Sequence, residues 1–173
     1  MSKALQQRIR IEDLSSTGHP SILERRFVNW PDEAACAATA AAIASQEAVH
    51  DAYIELHGTL GAGKTTFARH LLHALGVQGR VKSPTYAVME PYRVDGFDVS
   101  HFDFYRFDDP QEWEDAGFRD VFAAPGLKLA EWPEKAEGLL PVADLRIDID
   151  LGAGDSRTVR LSALTPRGVA LLP

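Results

Sequence analysis

Cysteine is almost missing from this chain: of 173 residues, Cys36 is the single one. That excludes an internal disulfide, and a small thiol set among alanines reads as a buried, inert side chain. Long apolar runs are missing too. The longest stretch without a strongly polar residue, 34–44, is alanine-rich and too short to cross a bilayer. No secretory apolar region follows the start, where Lys3, Arg8 and Arg10 mix with Glu12 and Asp13. A soluble, cytoplasmic protein with no membrane contact is therefore expected. Nor is there a basic excess, since 18 lysines and arginines face 25 acids for a net charge of −7. A domain that grips nucleic acid with its own surface carries a clustered basic face, so direct tight binding to RNA or DNA is not expected. The N-K-x-D and D-x-x-G signatures of a GTPase are absent, as are internal repeats.

What is present points to one α/β unit. The length and a hydrophobic content of 45% suit one substantial core. Residues 1–23 are polar, with Ser15, Ser16, Gly18 and Pro20, and are expected to form a mobile extension ahead of a single domain at 24–173. A short strand is expected at 26–29. Pro31, Asp32 and Glu33 then open a helix running to about Ser45, because proline fits a first turn and acids complement the positive helix end. A strand at 52–57 leads into a glycine loop at 58–63 and a helix from Lys64 to Leu75, closed by Gly76. Strands follow at 86–92 and 99–103 around a turn at Gly96. A short helix is expected at 110–114, a strand at 127–131 and a helical turn at 133–137. Strands at 145–151 and 158–161 close the chain around the Gly152–Asp155 turn. This order fits a three-layer P-loop NTPase fold with a mixed, mainly parallel sheet.

The run Gly58-Thr59-Leu60-Gly61-Ala62-Gly63-Lys64-Thr65, followed by Thr66, matches G-x-x-x-x-G-K-[ST]. Its glycines let the backbone take positive φ and turn N–H groups inward on oxygen anions. Lys64 is placed to reach the β- and γ-phosphates of a nucleoside triphosphate, and Thr65 to offer its hydroxyl to Mg2+. Such a site needs an acid to order the metal and its water. Asp103 and Glu131 both end expected strands, facing the crevice where open α/β sheets bind ligands. Residues alone leave three classes open: an ATPase, a small-molecule kinase and a nucleotide-regulated scaffold. The middle segment 108–115 is densely acidic, flanked by Arg106 and Arg119, and makes a poor phosphate-closing lid. His70 and His73 share a helix face, and with no cysteine beside them they read as surface residues rather than metal ligands.

Five runs follow one another along the chain: Gly58–Thr66, Lys82-Ser83-Pro84-Thr85-Tyr86, His101-Phe102-Asp103-Phe104-Tyr105-Arg106, Glu131-Trp132-Pro133-Glu134-Lys135 and Leu140-Pro141. Together they resemble the TsaE family, small ATPases of bacterial tRNA threonylcarbamoyladenosine synthesis. The resemblance covers about 27–161. It implies ATP as substrate, Thr65 and Glu131 as magnesium ligands, and Asp103 as the other essential acid near the γ-phosphate. It also implies a triphosphate-sensing loop at Ser83–Thr85, with Thr85 among the catalytic residues beside Lys64, and Trp132 near the nucleotide. Asp32 and Glu33 would approach the base. The family commonly carries an acid where this chain has Thr59. The implied partners are the TsaD–TsaB pair, with tRNA met only through that complex, and the implied ATPase is slow alone, since no arginine is placed on the γ-phosphate by the sequence.

Overall fold

The computed structural model describes residues 20–173. Most of the expected N-terminal extension, 1–19, lies outside the described residues. At its end Leu23 is already tied in, its N–H donating to the Ala163 carbonyl at 2.8 Å.

Among the described residues seven strands make one sheet: β1 (Glu24–Trp30), β2 (Tyr53–His57), β3 (Met89–Val94), β4 (Phe97–Asp103), β5 (Leu127–Glu131), β6 (Leu145–Leu151) and β7 (Arg157–Ala163). Their order is β1-β7-β6-β2-β5-β4-β3. The inner four run parallel, while β3, β7 and β1 are antiparallel additions at the edges. The five helices are α1 (Glu33–Ala44), α2 (Lys64–Ala74), α3 (Pro110–Asp115), α4 (Phe118–Ala123) and α5 (Pro166–Leu171). This is the three-layer α/β architecture with a mixed sheet, parallel at its centre, that the sequence implies.

Strand alternation sorts two cores. Ile54, Leu56, Leu127, Leu129 and Ile147 point to the face covered by α1 and α2, where Ile43, Phe67, Leu71 and Leu72 are fully buried. Asp32 caps α1 by accepting from the Ala35 N–H at 2.9 Å. The other face carries an aromatic cluster in which Phe102, Phe104, Trp113, Phe118 and Phe122 stack edge and face. Trp113 is the buried residue of α3, so the acidic segment is pinned to the core by one side chain.

Some elements differ from expectation. The strand expected at 86–92 begins only at Met89 and runs to Val94, pairing with β4 around Asp95 and Gly96. The residues before it turn instead: the Val88 N–H donates to the Pro84 carbonyl at 2.7 Å, and Val88 takes φ 65°. Apolar alternation continues through this turn, which is why the pattern overreaches. β1 is longer than 26–29 because its whole length pairs with β7. Helices α4 and α5 are each one and a half turns, too short to show a period.

Candidate functional site

The loop between β2 and α2 is shaped by three glycines with φ of 152° (Gly58), 80° (Gly61) and 112° (Gly63). At Gly58 a side chain has no room, because a Cβ would stand 2.6 Å from the Ile149 carbonyl oxygen. Across the loop, Arg157 of β7 donates from Nε to the Ala62 carbonyl at 2.7 Å and from Nη2 to Gly61 at 3.4 Å. Turning these carbonyls outward onto a guanidinium leaves the loop's N–H groups for the cleft. Lys64, almost fully buried, donates from Nζ to the carbonyls of Gly58 (2.5 Å) and Thr59 (3.0 Å). Burial lowers its pKa, and the carboxylates of Glu131, Glu134 and Asp103 pull it partly back.

Parallel pairing of β4 with β5 sets Asp103 beside Glu131 at the carboxyl ends of the strands. Both are buried, so each needs partners. Glu131 Oε2 accepts from the Thr65 hydroxyl at 2.8 Å, and its Oε1 meets His101 Nε2 at 2.8 Å. His101 is wholly buried, and its Nδ1 has no hydrogen-bond partner. With a carboxylate as its one partner, the ring carries its hydrogen on Nε2. Asp103 accepts from the Tyr105 N–H at 2.9 Å through Oδ1, while Oδ2 takes the hydroxyls of Ser83 and Thr85, the latter at 3.3 Å.

Trp132 follows Glu131 in a left-handed conformation, φ 55°, which costs a non-glycine residue energy. The turn lays its ring 3.9 Å from Lys64 Nζ. Opposite, Tyr105 packs on Trp132 at 4.9 Å between centroids, and the Arg106 guanidinium lies 4.5 Å from the Tyr86 ring. Leu60, Gly61, Gly63–Thr66, Ser83, Thr85, Asp103, Glu131 and Trp132 thus surround one open cleft of about 370 Å3, with Tyr105 and Arg106 at its wall. Gly58 and Thr59 enter it through the carbonyls that hold Lys64, while Ala62 faces away. A second cavity of about 330 Å3 opens there, lined by Trp30, Asp32, Glu33, Cys36, Thr66 and Arg157 among others.

For a divalent cation, Thr65 and Glu131 would supply two adjacent oxygen donors, whose hard oxygen chemistry suits magnesium. Three participants escaped the sequence. His101 was visible only as part of a run, Arg157 lies far along the chain, and Arg106 appeared as the end of that same run and as a flank of the acidic segment, without a role. His70 meets Glu33 at 2.8 Å and His73 the Gly79 carbonyl at 2.8 Å, both ordinary surface contacts. No cluster of three or more His, Cys, Asp or Glu able to hold a metal occurs among the described residues.

An open sheet with a parallel centre, and a glycine loop joining its central strand to a helix, define the P-loop NTPase fold. Residues 30–159 match the family model of the threonylcarbamoyl adenosine biosynthesis protein TsaE. The chain is similar to the tRNA threonylcarbamoyladenosine biosynthesis protein TsaE of Haemophilus influenzae, with 47% identity over 66% of this chain and 72% of that protein. The protein of the same name from Bacillus subtilis is 35% identical over 84% of this chain and 88% of its own length. Among solved structures, the crystal structure of Bacillus subtilis YdiB superposes with a TM-score of 0.67 at 26% identity, covering 85% of this chain and 90% of that one. The chain belongs to the TsaE family, whose proteins take part in the biosynthesis of threonylcarbamoyladenosine in tRNA. No helix among the described residues is long and apolar enough to cross a membrane.

Proposed function

We propose that this chain binds and hydrolyses Mg-ATP in the cytoplasm to support threonylcarbamoylation of adenosine in tRNA, acting with the TsaD–TsaB pair. The observation that carries this reading is the meeting of Thr65 and Glu131, 2.8 Å apart, at the mouth of a loop whose lysine rests on exchangeable carbonyls. In this reading Lys64 leaves those carbonyls for the β- and γ-phosphates, and the N–H groups of the Gly58–Thr66 loop cradle the oxygens. Thr65 and Glu131 hold the magnesium ion, which when bound neutralises charge on the phosphates. Trp132 flanks the nucleotide, and Asp32 and Glu33 approach the base from the second cavity. Asp103 orients the attacking water once Ser83 and Thr85 give it up, with Thr85 then free to meet the phosphate end.

Turnover by the lone chain is slow in this scheme, because Asp103 is occupied by the Ser83 and Thr85 hydroxyls, and full release of that loop is completed only with a partner. The tRNA is met only through the complex, in keeping with the net charge of −7. A kinase reading loses its lid, since the acidic segment is anchored by buried Trp113 rather than hinged. The test is steady-state ATP hydrolysis and tRNA modification, each with and without purified TsaD–TsaB and tRNA. Slow hydrolysis alone, and repeated modification only when this chain is present, are expected. Fast hydrolysis by the isolated chain, or repeated rounds in its absence, would overturn the reading.

A further inference from the structure

The arginines of this protein mostly sit on carboxylates: Arg69 on Glu33, Arg93 on Asp98, Arg119 on Glu114, Arg146 on Asp148. Arg106 does not, although the acids of 108–115 follow directly. It makes no ion pair among the described residues. Its guanidinium lies instead over the ring of Tyr86, 4.5 Å away, and that ring is itself 84% exposed. Yet Arg106 lines the same cleft as Lys64, Thr65 and Glu131. A cation on the wall of this cleft, with no carboxylate beside it, is available to an anionic ligand. An exposed ring holds a guanidinium weakly, whereas phosphate oxygens take it through paired, charge-assisted hydrogen bonds.

We propose that Arg106 is the chain's own arginine for the terminal phosphate, stored on Tyr86 in the nucleotide-free state and exchanged onto a triphosphate. This deepens the ATP reading and rests on it. In hydrolysis a water oxygen bonds to the terminal phosphorus as the bridging P–O bond breaks. The bond's electron pair leaves on ADP, and the water's proton passes to an oxygen of the released phosphate or to solvent. Arg106 takes neither electrons nor proton; its charge offsets that on the terminal phosphoryl oxygens. The exchange has a second effect. Tyr86 ends the Ser83–Tyr86 stretch, whose Ser83 and Thr85 hydroxyls rest on Asp103. Losing Arg106 frees the tyrosine side of that stretch, so a triphosphate, and not a diphosphate, loosens the cover on Asp103.

The experiment measures magnesium-dependent binding of ADP and of the non-hydrolysable β,γ-imido analogue of ATP, with single-turnover ATP hydrolysis. The proteins are the parent chain and its Arg106→Ala, Arg106→Lys, Tyr86→Leu and Lys64→Ala variants. Arg106→Ala is expected to keep ADP affinity within about twofold while weakening the triphosphate analogue roughly 10- to 100-fold, and to slow hydrolysis. Arg106→Lys should recover part of the triphosphate affinity, as a point charge without the fork. Tyr86→Leu should tighten the analogue by about two- to fivefold, because the competing ring is gone. A parent-like ratio of analogue to ADP affinity in Arg106→Ala, with Lys64→Ala unable to bind either, overturns this proposal alone. Parent-like binding by Lys64→Ala overturns the nucleotide reading and the proposal with it.

Discussion

Two clefts lie at opposite ends of the parallel strands, and each is built on a buried lysine. The front cleft, at the carboxyl ends, holds Lys64; the rear one, about 320 Å3 at the strand starts, holds Lys128. Each lysine is 5% exposed, and burial lowers the pKa of both. Their surroundings differ in kind. At the rear, Asp144 accepts the Tyr53 N–H at 2.8 Å and the Thr165 hydroxyl at 2.6 Å, with Arg167 3.6 Å away. Asp51 takes the Gly126 N–H at 3.0 Å and Arg167 at 3.4 Å, and Lys128 caps the Ala124 carbonyl at the end of α4. These charges join elements to one another through backbone groups. At the front, Thr65 and Glu131, Ser83 and Asp103, and Lys64 and its loop hold mainly side chains and loop carbonyls of the same cleft. One cleft staples the fold, and the other, in the function proposed above, takes an anion.

The contrast is broken or sharpened by substitutions on either side. The largest effect is expected for Lys64→Ala, which removes up to two charge-assisted phosphate contacts of ~1.5–3 kcal/mol each. Mg-ATP affinity should fall roughly 10²–10⁴-fold, while the ligand-free melting temperature moves by no more than about 3 °C. A collapse in melting temperature would make the front lysine a staple too. Next, Asp144→Ala leaves a buried N–H and a hydroxyl unpaired and should cost about 2–4 kcal/mol, lowering the melting point by about 5–15 °C. Nucleotide titration of the folded variant should match the parent, and weakened binding would erase the division between the clefts.

The two front acids divide more finely. Glu131→Gln turns the proposed carboxylate ligand of magnesium into a neutral amide and should raise the magnesium needed for half-maximal ATP binding about tenfold. Asp103→Asn should leave that requirement near the parent value while hydrolysis drops, as parallel magnesium titrations and phosphate release would register. The smallest effect lies outside both clefts. Burial pushes the Asp148 carboxyl up, but hydrogen bonds from Arg146 and the charges of Arg146, Arg160 and His57 outweigh it and hold the pKa low. A carboxyl depressed on folding stabilises above its unfolded value of about 3.9 and loses that contribution as pH falls through the lower folded value. Asp148→Asn should therefore flatten the acid limb of denaturant-derived stability below pH ~4, by less than about 1 kcal/mol given its half-exposed arginines.

The front cleft was the more legible of the two, for a physical reason. The Gly58–Thr66 loop is contiguous, so its chemistry is written in one stretch, and Asp103 and Glu131 declare themselves by ending strands that point the same way. His101 gave no such sign, because its partner Glu131 lies 30 residues on, in a neighbouring strand. Arg106 needed the turn after Asp103 to fold back toward Tyr86. At the rear, Asp144 and Lys128 look like solvated strand ends until α5 and the 3-10 turn at Glu47–Asp51 close over them. The early start of the strand expected at 86–92 has the same root, since residues 84–88 turn beside Asp103 and the strand begins only at Met89.

The brace from Arg157 to the carbonyls of Gly61 and Ala62 has a consequence for how the protein comes into being. Strand β2, which launches the glycine loop, is flanked by β5 and β6, both made later in the chain. On a ribosome the loop emerges with neither neighbour, and with no guanidinium to turn its carbonyls outward. Such non-local closure comes late in folding. A nascent chain therefore carries the complete glycine motif before the brace that shapes it can form, and that brace can form only after residue 157 has left the tunnel.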